Sequence, residues 1–169
     1  MNALVFVSHY KIVLASNENG IIDPKAVSEK LGLSISTVKK YIKNLANEGL
    51  IIYKDGVFKL TNKGEALKKS LLKLRNKAEQ GISPYLVTEP DTGVLIPLSI
   101  KNYEQLYVVI KYGLAPRNIL EEHFRRGYLA KWIKEVLGDE YFAKLYSEGK
   151  IKTLDDLKNY IKNMIKLIK

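Results

Sequence analysis

Apolar residues recur at helical spacing from the start of the chain. Leu4, Val5, Val7, Ile12 and Ala15, with Ser8 among them, predict a mostly buried first helix over 3–15. Asn17-Glu18-Asn19-Gly20 is a turn cluster, and Ile21-Ile22 predicts a very short strand. Asp23-Pro24 opens a second helix, with an acidic cap and proline at the first helical position. That helix runs through Val27 and Leu31 and stops at Gly32. Ser34 is the expected cap of a third helix, whose Val38, Tyr41, Ile42 and Leu45 fall on one stripe at about 100° per residue. Gly49 ends it. Leu50-Ile51-Ile52-Tyr53 and Val57-Phe58-Lys59-Leu60 predict two strands, and Asp55-Gly56 between them is a strong hairpin signal. Thr61 then caps a long helix through Leu67, Leu71, Leu74 and Ala78.

A break at Gln80-Gly81-Ile82-Ser83-Pro84 follows. Residues 85–89 and 94–98 predict a second hairpin around Pro90-Asp91-Thr92-Gly93, with Pro97 confining its strand to an edge or an end. Four helical segments come next. Asn102 and Gln105 read as a capping-box pair, and Gly113 ends that helix. Pro116 begins the longest, expected to run through Ile119, Leu120, Phe124, Trp132, Ile133 and Val136 until Gly138-Asp139. A short helix carries Phe142 and Leu145. Thr153 and Asp156 cap the last, whose Leu157, Ile161, Met164 and Ile168 form one stripe with lysines opposite.

These elements predict an α+β protein, mostly α, with two domains, 1–80 and 84–169. The 169 residues are enough for two small domains. No apolar run approaches the roughly 18 residues of a membrane span, and no small-residue cleavage site follows the apolar start. A cytoplasmic protein with no membrane association is expected. The absence of cysteine removes disulfides and thiolate metal sites, and two histidines cannot make a multi-histidine site. No metal and no cofactor are expected. Twenty-four lysines against four arginines, with seventeen isoleucines, suit a heat-adapted archaeal source.

Charge sharpens the picture. The net charge is +10, and an anionic partner is the usual reason for such an excess. Residues 1–80 carry 14 basic and 7 acidic side chains, whereas residues 81–169 carry 14 and 11. Between Ser34 and Lys73 nine lysines stand against Glu48, Asp55 and Glu65. On the third helix, the face opposite the apolar stripe holds Ser36, Lys40, Lys43 and Asn47, flanked by Lys39 and Asn44. Hydroxyls, amides and ammonium groups of this kind donate to phosphates and read base edges.

The order helix, helix, tight turn, helix, hairpin, helix, together with A-V-S-E-K-L-G-L-S-I-S-T-V-K-K-Y-I-K-N-L-A-N-E-G-L-I over 26–51 and Y-K-D-G-V-F-K-L-T-N-K-G over 53–64, resembles the winged helix-turn-helix family of archaeal and bacterial DNA-binding proteins. The resemblance implies that the third helix enters the major groove and the hairpin touches the backbone or minor groove. By position it implies that Ser34, Ser36, Thr37, Lys39, Lys40, Lys43 and Asn44 face DNA, with Lys54 and Lys59 as wing contacts. Ser34 also reads simply as a helix cap, and Thr37 as support for the turn. The wing is short and lacks arginine, which argues against deep minor-groove reading. Double-stranded DNA and a second copy of the chain are the partners this family implies, because its regulators bind two half-sites.

Residues 85–165 resemble a small archaeal and bacterial domain family of unknown function, through His123, Phe124, Gly127, Trp132, Ile133, Gly138, Asp139, Phe142 and Ala143, with Tyr128 departing from an expected acid. That resemblance implies no chemistry. His123 beside Glu121 and Glu122 invites an acid/base reading. The preferred reading is a helix histidine next to two exposed acids. Arg125 and Arg126 read either as an anion site or as partners of Glu121 and Glu122 at helical spacing. Trp132 reads as core. The stripes of the Leu67–Ala78 helix and of the last helix each read as a two-helix seam or as packing within one chain.

The leading expectation is a non-enzymatic DNA-binding transcriptional regulator, with residues 84–169 serving dimerisation, docking to a protein partner or ligand sensing. The alternatives are a winged-helix adaptor for a replication or transcription complex, and an enzyme or nucleotide sensor with its site in 85–169.

Overall fold

The computed structural model describes residues 7–76 and 83–169. The expectations for Leu4, Val5, Ala78 and 80–82, and for the side chains of Val7 and Ser8, lie outside the described residues. The protein is α+β and mostly α. The chain forms two compact units, Met1–Leu71 and Leu72–Lys169.

In the first unit the order is α1 (Val7–Leu14), β1 (Ile21–Ile22), α2 (Pro24–Leu31), α3 (Ile35–Asn47), β2 (Ile51–Lys54), β3 (Val57–Leu60) and the start of α4 (Asn62–Asn76). Local chemistry sets most of these ends. Asp23 accepts a hydrogen bond from the Lys25 amide at 3.0 Å and Pro24 opens α2. Gly32 closes α2 in the left-handed region at φ 66°. The Asp55-Gly56 turn has φ of 53° and 80°, the pair of positive values that a two-residue type I′ hairpin requires. The Thr61 hydroxyl accepts from the Gly64 amide and caps α4.

The sheet order is β1-β3-β2, all antiparallel. Ile21 and Ile22 therefore add a third strand to the wing, opposite Lys59 and Phe58. α1 and α2 both pack on α3. Ile12, Val13, Ile22, Val27, Val38, Ile42, Leu45, Leu50, Leu67 and Leu71 close the core. Gly64 sits so close to the residue before β2 that a Cβ there would lie 2.2 Å from the Leu50 carbonyl oxygen.

The second unit contains β4 (Tyr85–Thr88), β5 (Leu95–Ile100), α5 (Tyr103–Tyr112), α6 (Arg117–Arg125), α7 (Tyr128–Trp132), a π-helical segment (Ile133–Leu137), α8 (Glu140–Ser147) and α9 (Leu154–Ile168). β4 and β5 form a two-stranded antiparallel sheet with a bulge between Leu86 and Thr88. The long helix expected from Pro116 is broken. Gly127 takes φ 80° and separates α6 from α7, and the chain then widens into the π-helical turn before Gly138. An isolated glycine costs a helix only about 1 kcal/mol, so helical periodicity on both sides concealed the break.

Asn102 caps α5 by accepting from the Gln105 amide at 2.8 Å, but the Gln105 side chain accepts from Lys101, not from Asn102. Thr153 and Asp156 form the complete reciprocal box. The apolar stripe of α9 is covered within this unit, by packing on α5 and α6, and Leu67, Leu71 and Leu74 of α4 are buried as well.

Candidate nucleic-acid interface

α3 presents the expected polar face. Lys39, Lys40 and Lys43 are exposed, and none makes an ion pair among the described residues. Ser36 is exposed, while Thr37 and Asn44 are half-buried. Ser34 is committed to the backbone: its hydroxyl accepts from the Thr37 amide at 3.2 Å and donates to the Thr37 hydroxyl at 2.8 Å, and its oxygen lies 3.1 Å from that of Ser36. The first turn of α3 is thus a small hydroxyl network.

The wing places its two lysines together. Strand register pairs Ile52 with Lys59 and Lys54 with Val57. Alternation then puts Ile52, Lys54, Val57 and Lys59 on one face of the hairpin. Tyr53 and Phe58 pair on the other face with ring centroids 4.9 Å apart.

Not every lysine of the basic segment is available. Lys68 donates from α4 to the carbonyls of Ser16 and Asn17, at 3.2 and 2.9 Å, at the end of α1. Lys63 reaches the Glu48 carbonyl at 3.4 Å, at the end of α3. Both cations sit at the negative ends of helix dipoles. The nine-lysine bias is partly internal helix capping, and the exposed cations of α3 and the wing number five: Lys39, Lys40, Lys43, Lys54 and Lys59.

The support behind α3 was not legible in the residue pattern. The Tyr10 hydroxyl of α1 donates to the Glu48 carboxylate at 2.6 Å. His9 packs on Tyr41 with ring centroids 4.1 Å apart. Burial, and then the nearby Lys40 charge, push the His9 imidazolium pKa below its ordinary value. The only available signal was that His9 and Tyr10 lie within a helix of apolar spacing.

In the second unit, His123 departs from the expected arrangement beside exposed acids. It is buried, its Nε2 donates to the Thr88 carbonyl at 2.7 Å, and its Nδ1 accepts from the Tyr85 hydroxyl. It joins α6 to β4, with both ring nitrogens used. Arg125 and Arg126 pair with Glu122, whose carboxyl the two guanidiniums hold down to about 2. Arg117 takes Glu121 at 2.9 Å and Asp155 at 3.1 Å. A pocket of about 120 Å³ beside Glu89, Asp91, Glu122 and Arg126 does not include His123. Trp132 is buried, as expected, with its Nε1 donating to the Ser83 carbonyl at 3.0 Å. No group of histidine, aspartate and glutamate among the described residues is arranged to hold a metal ion. No helix among them is long and apolar enough to cross a membrane.

Residues 11–79 match the family model described as winged helix-turn-helix. No family covers the C-terminal part, so the second resemblance has no counterpart there. No curated protein and no solved structure gives a significant match. The fold, the type I′ wing, the third strand supplied by Ile21-Ile22 and the capped α3 agree with the family match: residues 11–79 are a winged helix-turn-helix domain.

Proposed function

We propose that this protein binds double-stranded DNA through the outward face of α3 and the lysine face of the wing, as a non-enzymatic transcriptional regulator. One observation carries the reading. Lys39, Lys40 and Lys43 stand exposed on one side of α3 without acidic partners among the described residues, while Glu48, the acid of that helix end, is engaged by Tyr10. Unpaired ammonium groups in a row release counterions when phosphates replace water and salt. The half-buried Thr37 and the cap Ser34 hold the turn, with Ser36 exposed beside them and the lysines clear for contact. A homodimer on two half-sites completes the proposal, together with an effector or protein partner for residues 84–169.

The test is a mobility shift of the full chain on random duplex DNA across a salt series. Lys40→Glu with Lys43→Glu should weaken binding at least tenfold and flatten the dependence of log K on log salt. Unchanged affinity and slope would show that this face is not the contact surface. Exposed Ile52, Tyr53 and Val57 on the wing favour the second reading, an adaptor that docks on a protein. A chain that shifts no duplex at low salt would select it.

A further inference from the structure

Ile35 is the first residue of α3, and 43% of it is exposed. The apolar stripe of the same helix, Val38, Ile42 and Leu45, is buried. A single exposed apolar side chain says little by itself. Its position says more. Ile35 lies between Ser34 and Ser36 in the hydroxyl network of the first turn, and Lys39, one turn further on, is also exposed. It is an apolar spot at the edge of the polar face, one turn from an ammonium group suited to phosphates and base edges.

The chemistry of the major groove gives such a spot one complement. Base edges there offer hydrogen-bond donors, acceptors and the C5 methyl of thymine. Ser36, whose hydroxyl points to Ser34, keeps its oxygen as an acceptor, and lysines pair with phosphates or guanine. The branched hydrocarbon of Ile35 can do neither, and gains only by covering another apolar group. The hydroxyls on either side are engaged with each other and with Thr37, Ser34 donating to Thr37 and lying 3.1 Å from Ser36, whereas the Ile35 side chain stands exposed.

We infer that Ile35 contacts a thymine methyl in the major groove, so that the preferred sites of this protein carry thymine at one fixed position. The inference rests on α3 being the recognition helix. Ile35 sets specificity there, and the lysines set affinity.

Sites enriched by the full chain from a random duplex library supply the probe. Each thymine of an enriched site is then replaced in turn by deoxyuridine, which lacks only the methyl group. The wild-type chain should lose about fourfold in affinity at one position, the value of roughly one methylene withdrawn from water. Ile35→Val should keep that preference. Ile35→Ser should bind the thymine and uracil sites equally, with its salt dependence unchanged. Equal binding of both sites by the wild-type chain, or a preference that survives Ile35→Ser, overturns the inference. Duplex binding that Lys40→Glu with Lys43→Glu weakens, without enrichment of any site, leaves the DNA-binding reading intact and ends this one. No duplex binding at all ends both.

Discussion

The Tyr10 hydroxyl donates to the Glu48 carboxylate at 2.6 Å, across 38 residues of sequence. This bond fastens α1 to the C-terminal cap of α3 and turns the acid at the edge of the lysine face towards the protein. Removing the hydroxyl leaves a carboxylate short of one charge-assisted partner, which costs about 1–2 kcal/mol. Tyr10→Phe should therefore lower the stability of the first unit by that amount. Faster hydrogen exchange in α1 and α3, with the second unit unaffected, is the measurement.

Lysines within the same basic segment should separate into two classes. Lys68→Met keeps the hydrocarbon stem but removes the cation at the end of α1. It should cost ~0.5–1 kcal/mol of stability and leave the salt dependence of DNA binding unchanged. Lys54→Met and Lys59→Met, on the exposed wing face, should do the reverse. Paired denaturation and salt-titration experiments on the three variants decide it.

Gly64 is required by space and not by a special backbone angle. The first turn of α4 runs against the residue that leads into β2, and a methyl group at position 64 would stand 2.2 Å from the Leu50 carbonyl oxygen. The same oxygen accepts from the Thr61 amide at 3.0 Å, so the strand cannot withdraw freely. Gly64→Ala should destabilise the winged helix by about 1–3 kcal/mol, although alanine is the better helix former. Thermal denaturation of the variant would show the sign.

Asp139 is fully buried and gathers three donors: the hydroxyls of Tyr103 at 2.5 Å and Tyr160 at 2.7 Å, and the Phe142 amide at 3.0 Å. It ties α5, α8 and α9 together. Asp139→Ala leaves two buried hydroxyls and an amide to find new partners, each at a cost of ~1–3 kcal/mol. The expected loss is about 3 kcal/mol or more. Trp132, the single tryptophan, lies in the same unit and reports its unfolding by fluorescence.

Alkali should act on this unit too. Burial raises the hydroxyl pKa of Tyr85, Tyr103 and Tyr160, and the Asp139 charge raises the last two further. Their folded pKa lies above the unfolded value near 10. The stability they contribute is therefore complete below about pH 10 and is lost as pH rises towards the folded values. Phenolate absorbance should show these three of the eleven tyrosines ionising only as the unit unfolds. Their titration alongside the exposed tyrosines, in the native fold, would refute the burial argument.

The residue pattern alone determined most of the elements and many of their ends. Asp23-Pro24, Ser34, Asp55-Gly56, Asn102 and Thr153 act through hydrogen bonds or dihedral preferences that span a few residues, so their neighbours in sequence suffice to predict them. The winged helix, its order of elements and its lysine face were legible for the same reason. Only the tertiary structure decided what the polar side chains do. Glu48 meets Tyr10, Lys68 meets the end of α1, His123 lies between Tyr85 and Thr88, and Asp139 holds Tyr103 and Tyr160. The break at Gly127 and the π-helical turn after Trp132 belong to the same class. These partners lie tens of residues apart, and a buried polar atom takes whichever partner packing brings within reach. That choice depends on the whole fold, so the charge count of the basic segment overstated its free cations: Lys63 and Lys68 are engaged at helix ends, and Lys39, Lys40, Lys43, Lys54 and Lys59 are exposed.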